Sequence, residues 1–130
     1  MFQLNTSYDR TDIQSTIGGG MNDYLPHKNR QVVGICMRPD QHPDAPDILL
    51  IGANERVYQW ACVFCNQRFP IPAFVREDGD LWRYVGPLFA EAWTENRAEI
   101  GIHQLRSGRA DIRRVVFLMR FDDPRFKLGG

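Results

Sequence analysis

The stretch that decides the fold is residues 72–93, PAFVREDGDLWRYVGPLFAEAW. Residues 72–75 begin a strand that ends in the acidic, glycine-containing turn Glu77, Asp78, Gly79, Asp80, and extended structure resumes from Leu81 to Trp93. Two apolar runs joined by such a turn read as a hairpin. Gly86 and Pro87 fall inside the second run, where proline removes a ladder donor and glycine permits a bend. A bulge or sharp bend at that point curls a sheet toward a barrel.

Outward from the hairpin, Asp9 is placed to cap a short helix over 10–17, with Ile13 and Ile17 on one face and Gly18 as its left-handed stop. Gly18, Gly19 and Gly20 allow a backbone path closed to other residues, and Tyr24, Leu25 and Pro26 follow as an ordered extended segment. Residues 31–37, with Val32, Val33 and Ile35, read as a strand, and 48–51 as another. Between them Pro39, Pro43 and Pro46 alternate with Asp40, Asp44 and Asp47, which forbids regular structure. Asn54 is a suitable N-cap for a helix through about residue 66, because Val57, Ala61 and Phe64 recur at helical spacing beside Trp60. Residues 98–105 fit strand and helix equally, whereas 115–121 form an apolar strand preceded by a polar loop around Ser107 and Gly108. The tail after Asp122 is expected to fray. No repeat or linker divides the chain, so the expected architecture is one α+β domain over 1–130, a curved, barrel-like mixed sheet with two or three flanking helices.

Composition narrows the function classes. Hydrophobic residues at 43% and charged residues at 25% of 130 place the chain among globular proteins and away from disordered ones. A formal net charge of zero does not announce a nucleic-acid binder, but it is compatible with a basic face opposite an acidic one. Residues 1–10 hold no apolar run of signal-peptide type and no window has membrane-spanning length, so a cytoplasmic protein with no membrane association is expected. Cys36, Cys62 and Cys65 are then reduced thiols.

Catalytic chemistry finds little support. Cys62 and Cys65 form a CxxC late in the expected helix, where buried apolar thiols explain them better than a redox or zinc site, even with Cys36 as a third ligand. His27, His42 and His103 are scattered, no nucleophile sits in a glycine-flanked elbow, and the glycine triplet lacks the Lys and Ser or Thr of a phosphate loop. Glu77, Asp78 and Asp80 are a hairpin tip rather than the carboxylate cluster of a nuclease, and no cofactor is expected. More informative is the basic stretch Arg106, Arg109, Arg113 and Arg114 around Ser107 and Gly108, opposed only by Asp111, since arginine holds phosphates in bidentate contacts. Trp82, Tyr84 and Trp93 recur along the bent strand. A base stacks on such faces, and a core packs with them equally well.

The string Tyr8, Arg10, Asp12, Ile13, Gly18, Gly19, Tyr24, Leu25, Pro26 resembles the opening of specificity domains attached to HNH-type, modification-dependent restriction endonucleases. The resemblance continues through Val32 and Val33, Pro43, Ala45 and Pro46, residues 48–52, Gln67, Pro72, Phe74 and Val75, then Trp82, Tyr84 and Gly86, and ends at Ser107, Gly108 and Arg109. Each motif is short and the CxxC lies outside it. It implies a PUA- or SRA-like module for restriction or phage defence that binds DNA and presents an aromatic pocket to a modified or flipped base, with cleavage left to a separate nuclease domain or a nuclease partner. Such a pocket needs an aromatic wall, groups for the base edge and cations for the flanking phosphates. Tyr24, Trp82 and Tyr84 are suited to the wall, Asn22, Asp23 and Gln67 to the edge, and Arg106, Arg109 and Arg113 to the phosphates, while the glycine loop lets backbone approach the base. Two rivals stand beside this reading. One is a protein-interaction or inhibitor module docking a partner through exposed strands and the proline loop, which the neutral charge favours. The other is a small enzyme using Cys62, Cys65 and the histidines.

Overall fold

A computed structural model describes residues 2–120, and within them the hairpin is the centre of the sheet. Its strands are β6 (Ile71–Arg76) and β7 (Leu81–Thr94), antiparallel. The long strand β7 serves several partners in turn. Its first half pairs with β6 on one edge and with β1 (Ser7–Asp9) on the other, and its second half pairs with β8 (Ile112–Arg120). The order is completed by β4 (Ile35–Met37), parallel to β6, and β5 (Ile48–Gly52), antiparallel to β8. One parallel pair among antiparallel ones makes the sheet mixed.

The expected bend is at Gly86, whose φ is +105°, where the β6–β7 register shifts opposite Ala73 and Phe74. A second shift lies between Ala90 and Ala92, where Glu91 is the extra residue against β8. Two irregularities in one strand increase its coiling, and the sheet curls into a half-barrel. Its inner face wraps α2 (Glu55–Gln67), which contributes Ala61, Phe64 and Cys65 to a core shared with Ile35, Met37, Ala73, Val75, Val116 and Leu118. The alternate residues face the other way, as a two-residue period requires. Cys36, Phe74 and Trp82 pack on Ile13 of α1 (Arg10–Ile17), and Leu50, Ile112 and Val115 pack on Ile100 of α3 (Arg97–Ser107).

The helices start where their caps sit. Asp9 accepts the Asp12 amide at 2.7 Å, Asn54 accepts the Val57 amide at 3.1 Å, and Asn96 accepts those of Ala98 and Glu99. The first two helices match expectation. The stretch 98–105, open between strand and helix, is α3, and Ser107 and Gly108 are its last residue and left-handed cap (φ +73°) rather than a polar loop leading into a strand. Asn96 with Glu99 three residues on was the available signal.

The single strand expected over 31–37 is divided. Its first part, β3 (Gln31–Val32), forms a small hairpin with β2 (His27–Lys28) through Asn29 and Arg30, whose φ values of 53° and 65° belong to a tight turn of the primed type. Val33 and Gly34 separate β3 from β4, which joins the main sheet, and a Cβ on Gly34 would lie 2.5 Å from Ile17 Cδ1. Strand β8 begins at Ile112, earlier than expected, while Phe121 and the tail after Asp122 lie outside the described residues. Among the described residues no helix is long and apolar enough to cross a membrane.

Gly19 and Gly79 both hold left-handed φ, +81° and +73°, but a Cβ on Gly19 would meet Pro26 Cβ at 2.7 Å and the His27 nitrogen at 2.9 Å, whereas one on Gly79 meets nothing. Gly79→Ala is therefore expected to cost about 1 kcal/mol of strain alone. Gly19→Ala is expected to cost about 2–4 kcal/mol, because the β2 backbone must also move. Urea unfolding of the two variants checks the difference.

Candidate functional site

Parallel strands β4 and β6 present their carboxyl ends on the same side of the sheet, the place where ligands enter open α/β sheets. There the chain leaves β4 at Arg38, leaves β6 at Arg76, and enters β7 through Asp80 and Trp82. Together with the start of α1 and the loop carrying Asn22, Asp23 and Tyr24, these residues enclose a cleft of about 650 Å³. Cys36, Gln41 and His42 also line it.

Trp82 forms part of the wall, only 8% exposed, with the Arg10 guanidinium 5.3 Å from its ring centroid. Arg10 fastens α1 to the loop, donating to the Gly20 carbonyl at 2.6 Å and the Asp23 carbonyl at 3.3 Å. His42 is 1% exposed, and its Nδ1 accepts the Leu50 amide at 3.0 Å. That bond leaves the proton of the neutral ring on Nε2. Burial lowers the His42 pKa to about 4, the nearby Arg109 acts in the same direction, and Asp40 opposes them. Burial likewise pushes the Tyr24 hydroxyl up to about 12 and the Cys36 thiol up to about 11, so both are protonated at neutral pH. Among the described residues, two buried side-chain nitrogens have no hydrogen-bond partner, Arg10 Nε and His42 Nε2, and both residues line this cleft. Orphaned buried donors are uncommon in folded proteins and cost stability. At the mouth, Arg38 pairs with Asp40 at 3.1 Å and Arg76 with Asp80 at 3.4 Å. Such exposed pairs are worth ~1 kcal/mol or less and exchange readily for another anion.

Of the residues singled out in the sequence, Asn22, Asp23, Tyr24 and Trp82 meet in the cleft. Tyr84 shares the sheet face of Trp82 but packs against Phe2 and Phe74 under α1. Gln67 uses both amide atoms on the Val32 backbone, donating to its carbonyl at 2.8 Å and accepting its N–H at 3.1 Å, and so fixes β3. Arg106 pairs with Asp44 at 2.6 Å, and Arg113 pairs with Glu55 at 3.0 Å while stacking 3.4 Å over the Tyr58 ring. Arg114 lies over Trp93 and pairs with Glu95. Arg109 pairs with Asp111 and donates to the Gln41 and Leu50 carbonyls, lining a neighbouring depression of about 390 Å³ with Tyr24 and Gly52. The structure thus does not bring Tyr84, Gln67 and the three arginines to the cleft. Nor does the glycine loop lie open, since Gly19 is pressed against Pro26 and His27.

Sequence reasoning missed Arg10, Arg38, His42 and Arg76. The available signal was positional, as Arg38 and Arg76 stand at the ends of two recognisable strands. Elsewhere, His27 stacks on Trp60 at 3.7 Å beside a smaller depression of about 340 Å³, and among the described residues no group of three His, Cys, Asp or Glu is placed to hold a metal.

No family model and no curated protein matches the sequence. Among solved structures, the chain is similar to the SRA domain of SUVH5 in its complex with hemi-methylated CG DNA, at 14% identity and a TM-score of 0.57, over 95% of this chain and 86% of that one. The half-barrel with three helices is therefore an SRA-like fold.

His42 makes stability depend on pH. An unfolded His protonates near 6.5 and the folded one only at about 4, so the unfolded chain binds the extra proton between those values. Stability present above pH 6.5 is expected to fall toward pH 4 by up to ~3 kcal/mol. Urea unfolding at pH 7, 5.5 and 4.5 checks this against His42→Asn, in which that component is absent and the carboxylate contributions remain.

Proposed function

We propose that the protein is a DNA-binding module that reads a modified base turned out of the duplex into the cleft. The observation that carries this reading is the cleft itself, with an aromatic wall, the polar side chains of Asn22 and Asp23 and exchangeable arginines at its mouth. A base taken from the stack needs those three provisions. The fold is like that of an SRA domain seen on hemi-methylated CG DNA, which supports the choice of ligand. In this reading Trp82 and Tyr24 flank the base, Asn22 and Asp23 meet its edge, and Arg38 and Arg76 exchange Asp40 and Asp80 for flanking phosphates. Zero net charge is consistent with a binder that relies on few phosphate contacts. The setting we propose is restriction or phage defence, with strand cleavage supplied by a separate nuclease domain or partner. A second reading, docking of a protein partner, draws on Ile102 and Leu105, which stand 58% and 88% exposed on α3.

Fluorescence anisotropy with matched duplexes, plain or carrying 5-methylcytosine or 5-hydroxymethylcytosine, tests the proposal across a salt series. One modified duplex is expected to bind tightest, with affinity falling as salt rises. The double variant Arg38→Ala, Arg76→Ala is expected to weaken all duplexes alike and to reduce the salt slope by about two. Absence of binding to every duplex at low salt overturns the reading in favour of a protein partner.

A further inference from the structure

We infer that the base this cleft selects carries a neutral, hydroxyl-rich substituent, a sugar joined through a hydroxymethyl group at C5 of a pyrimidine, rather than a bare methyl group. The inference rests on the base-reading function proposed above and names the class of modification that is read.

Size is the first observation. A methylated pyrimidine is a single small ring, and set between Trp82 and Tyr24 it fills only part of a cleft of about 650 Å³. Clefts of about 300–1,000 Å³ take drug-sized ligands. The lining is the second observation. Beyond the two rings, Met21 and the buried Cys36 are its apolar part, and the remainder is polar or charged. A methyl group gains only from burial against apolar atoms, whereas water displaced from polar walls must be replaced by groups that make the same hydrogen bonds.

The polar groups are open and uncommitted. Thr11 on α1, Asn22 and Asp23 in the loop after it, and Gln41 beyond β4 border the cleft from three segments, and within the described residues none of their side chains makes a hydrogen bond or ion pair. Thr11, Asn22 and Gln41 are exposed and Asp23 is half-buried, so all four are accessible to a ligand in the cleft. Their backbone, by contrast, is held. Arg10 donates to the carbonyls of Gly20 and Asp23, which bracket Asn22, and the Gln41 amide donates to the Arg38 carbonyl at 2.9 Å while the Gln41 carbonyl accepts from Arg109 at 3.1 Å. An anchored backbone lowers the ordering cost of binding.

Charge separates a hydroxyl-rich substituent from an ionic one. Arg10, Arg38 and Arg76 border the cleft with Asp9, Asp23 and Asp80, three of each sign, and His42, whose pKa burial lowers to about 4, is neutral. Neither a cationic nor an anionic substituent meets an excess of the opposite sign. A hydroxyl donates and accepts through one atom, so a polyhydroxyl substituent pairs with carboxylate, amide and threonine groups alike and brings no charge to be desolvated.

Fluorescence anisotropy of the whole chain with matched duplexes tests this, the modified position carrying cytosine, 5-methylcytosine, 5-hydroxymethylcytosine or its β-glucoside, the last made by enzymatic transfer of glucose to the third. The glucosylated duplex is expected to bind roughly 10-fold or more tightly than the methylated one, with the hydroxymethylated duplex between them and the salt slope unchanged, since the sugar carries no charge. The double variant Thr11→Ala, Gln41→Ala removes two exposed side chains and leaves their backbone bonds in place, and it is expected to bring the ratio of the glucosylated to the methylated affinity toward one. The wild-type comparison needs no variant. A methylated duplex bound as tightly as the glucosylated one or more so, or a ratio unmoved in the folded double variant, overturns the inference while leaving base reading intact. Failure of wild type to bind any of the duplexes at low salt overturns both.

Discussion

The bend of β7 at Gly86 is the constraint on which the rest of the structure depends. Before it β7 pairs with β1 and after it with β8, so one strand must change direction while keeping both edges bonded. A left-handed φ of +105° does this, and the backbone there lies so close to Arg120 that a Cβ would stand 3.3 Å from its Nε. Because the strand bends, the sheet wraps α2 on one side and leaves room for α1 and α3 on the other. Because α1 then lies under β4 and β6, Arg10 and the loop after it reach the open ends of those strands and close the cleft.

The parts of this fold legible in the sequence are those whose local chemistry agrees with their tertiary surroundings. Asp9 and Asn54 cap the helices they precede, and the acidic turn at 77–80 joins the strands on either side of it. Where local and tertiary demands differ, the sequence is ambiguous. In α3 only Ile100 is buried, while Ile102 and Leu105 face outward, so the apolar pattern carries no clear period. The division of 31–37 follows from the close approach of Gly34 to Ile17, a contact that no local rule contains. The irregularity at Glu91 has no glycine or proline to announce it.

The candidate site was legible in part for a related reason. Aromatic and polar residues near a glycine loop point toward a pocket, and Asn22, Asp23, Tyr24 and Trp82 are there. A run of arginines points toward phosphate only if their partners are unknown. Here Arg106 is satisfied by Asp44 and Arg113 by Glu55, residues 62 and 58 positions away. His42 and Arg10 carry the opposite lesson. What distinguishes them is a bond not made, and the lack of a partner becomes visible only when every neighbour has been placed.

The sheet's connectivity also bears on how the chain is made. Ser7 lies opposite Arg83, Cys36 opposite Phe74 and Leu49 opposite Val116, so β1, β4 and β5 are each completed by a strand that leaves the ribosome later. Helix α2 emerges long before β8, which supplies part of the surface that buries it. Loops of this span delay the rewarding contacts until most of the chain exists. The fold is consequently completed late in synthesis, and a nascent chain halted before β8 leaves the part of the core that Val116 and Leu118 cover exposed beside α2, a natural target for chaperones.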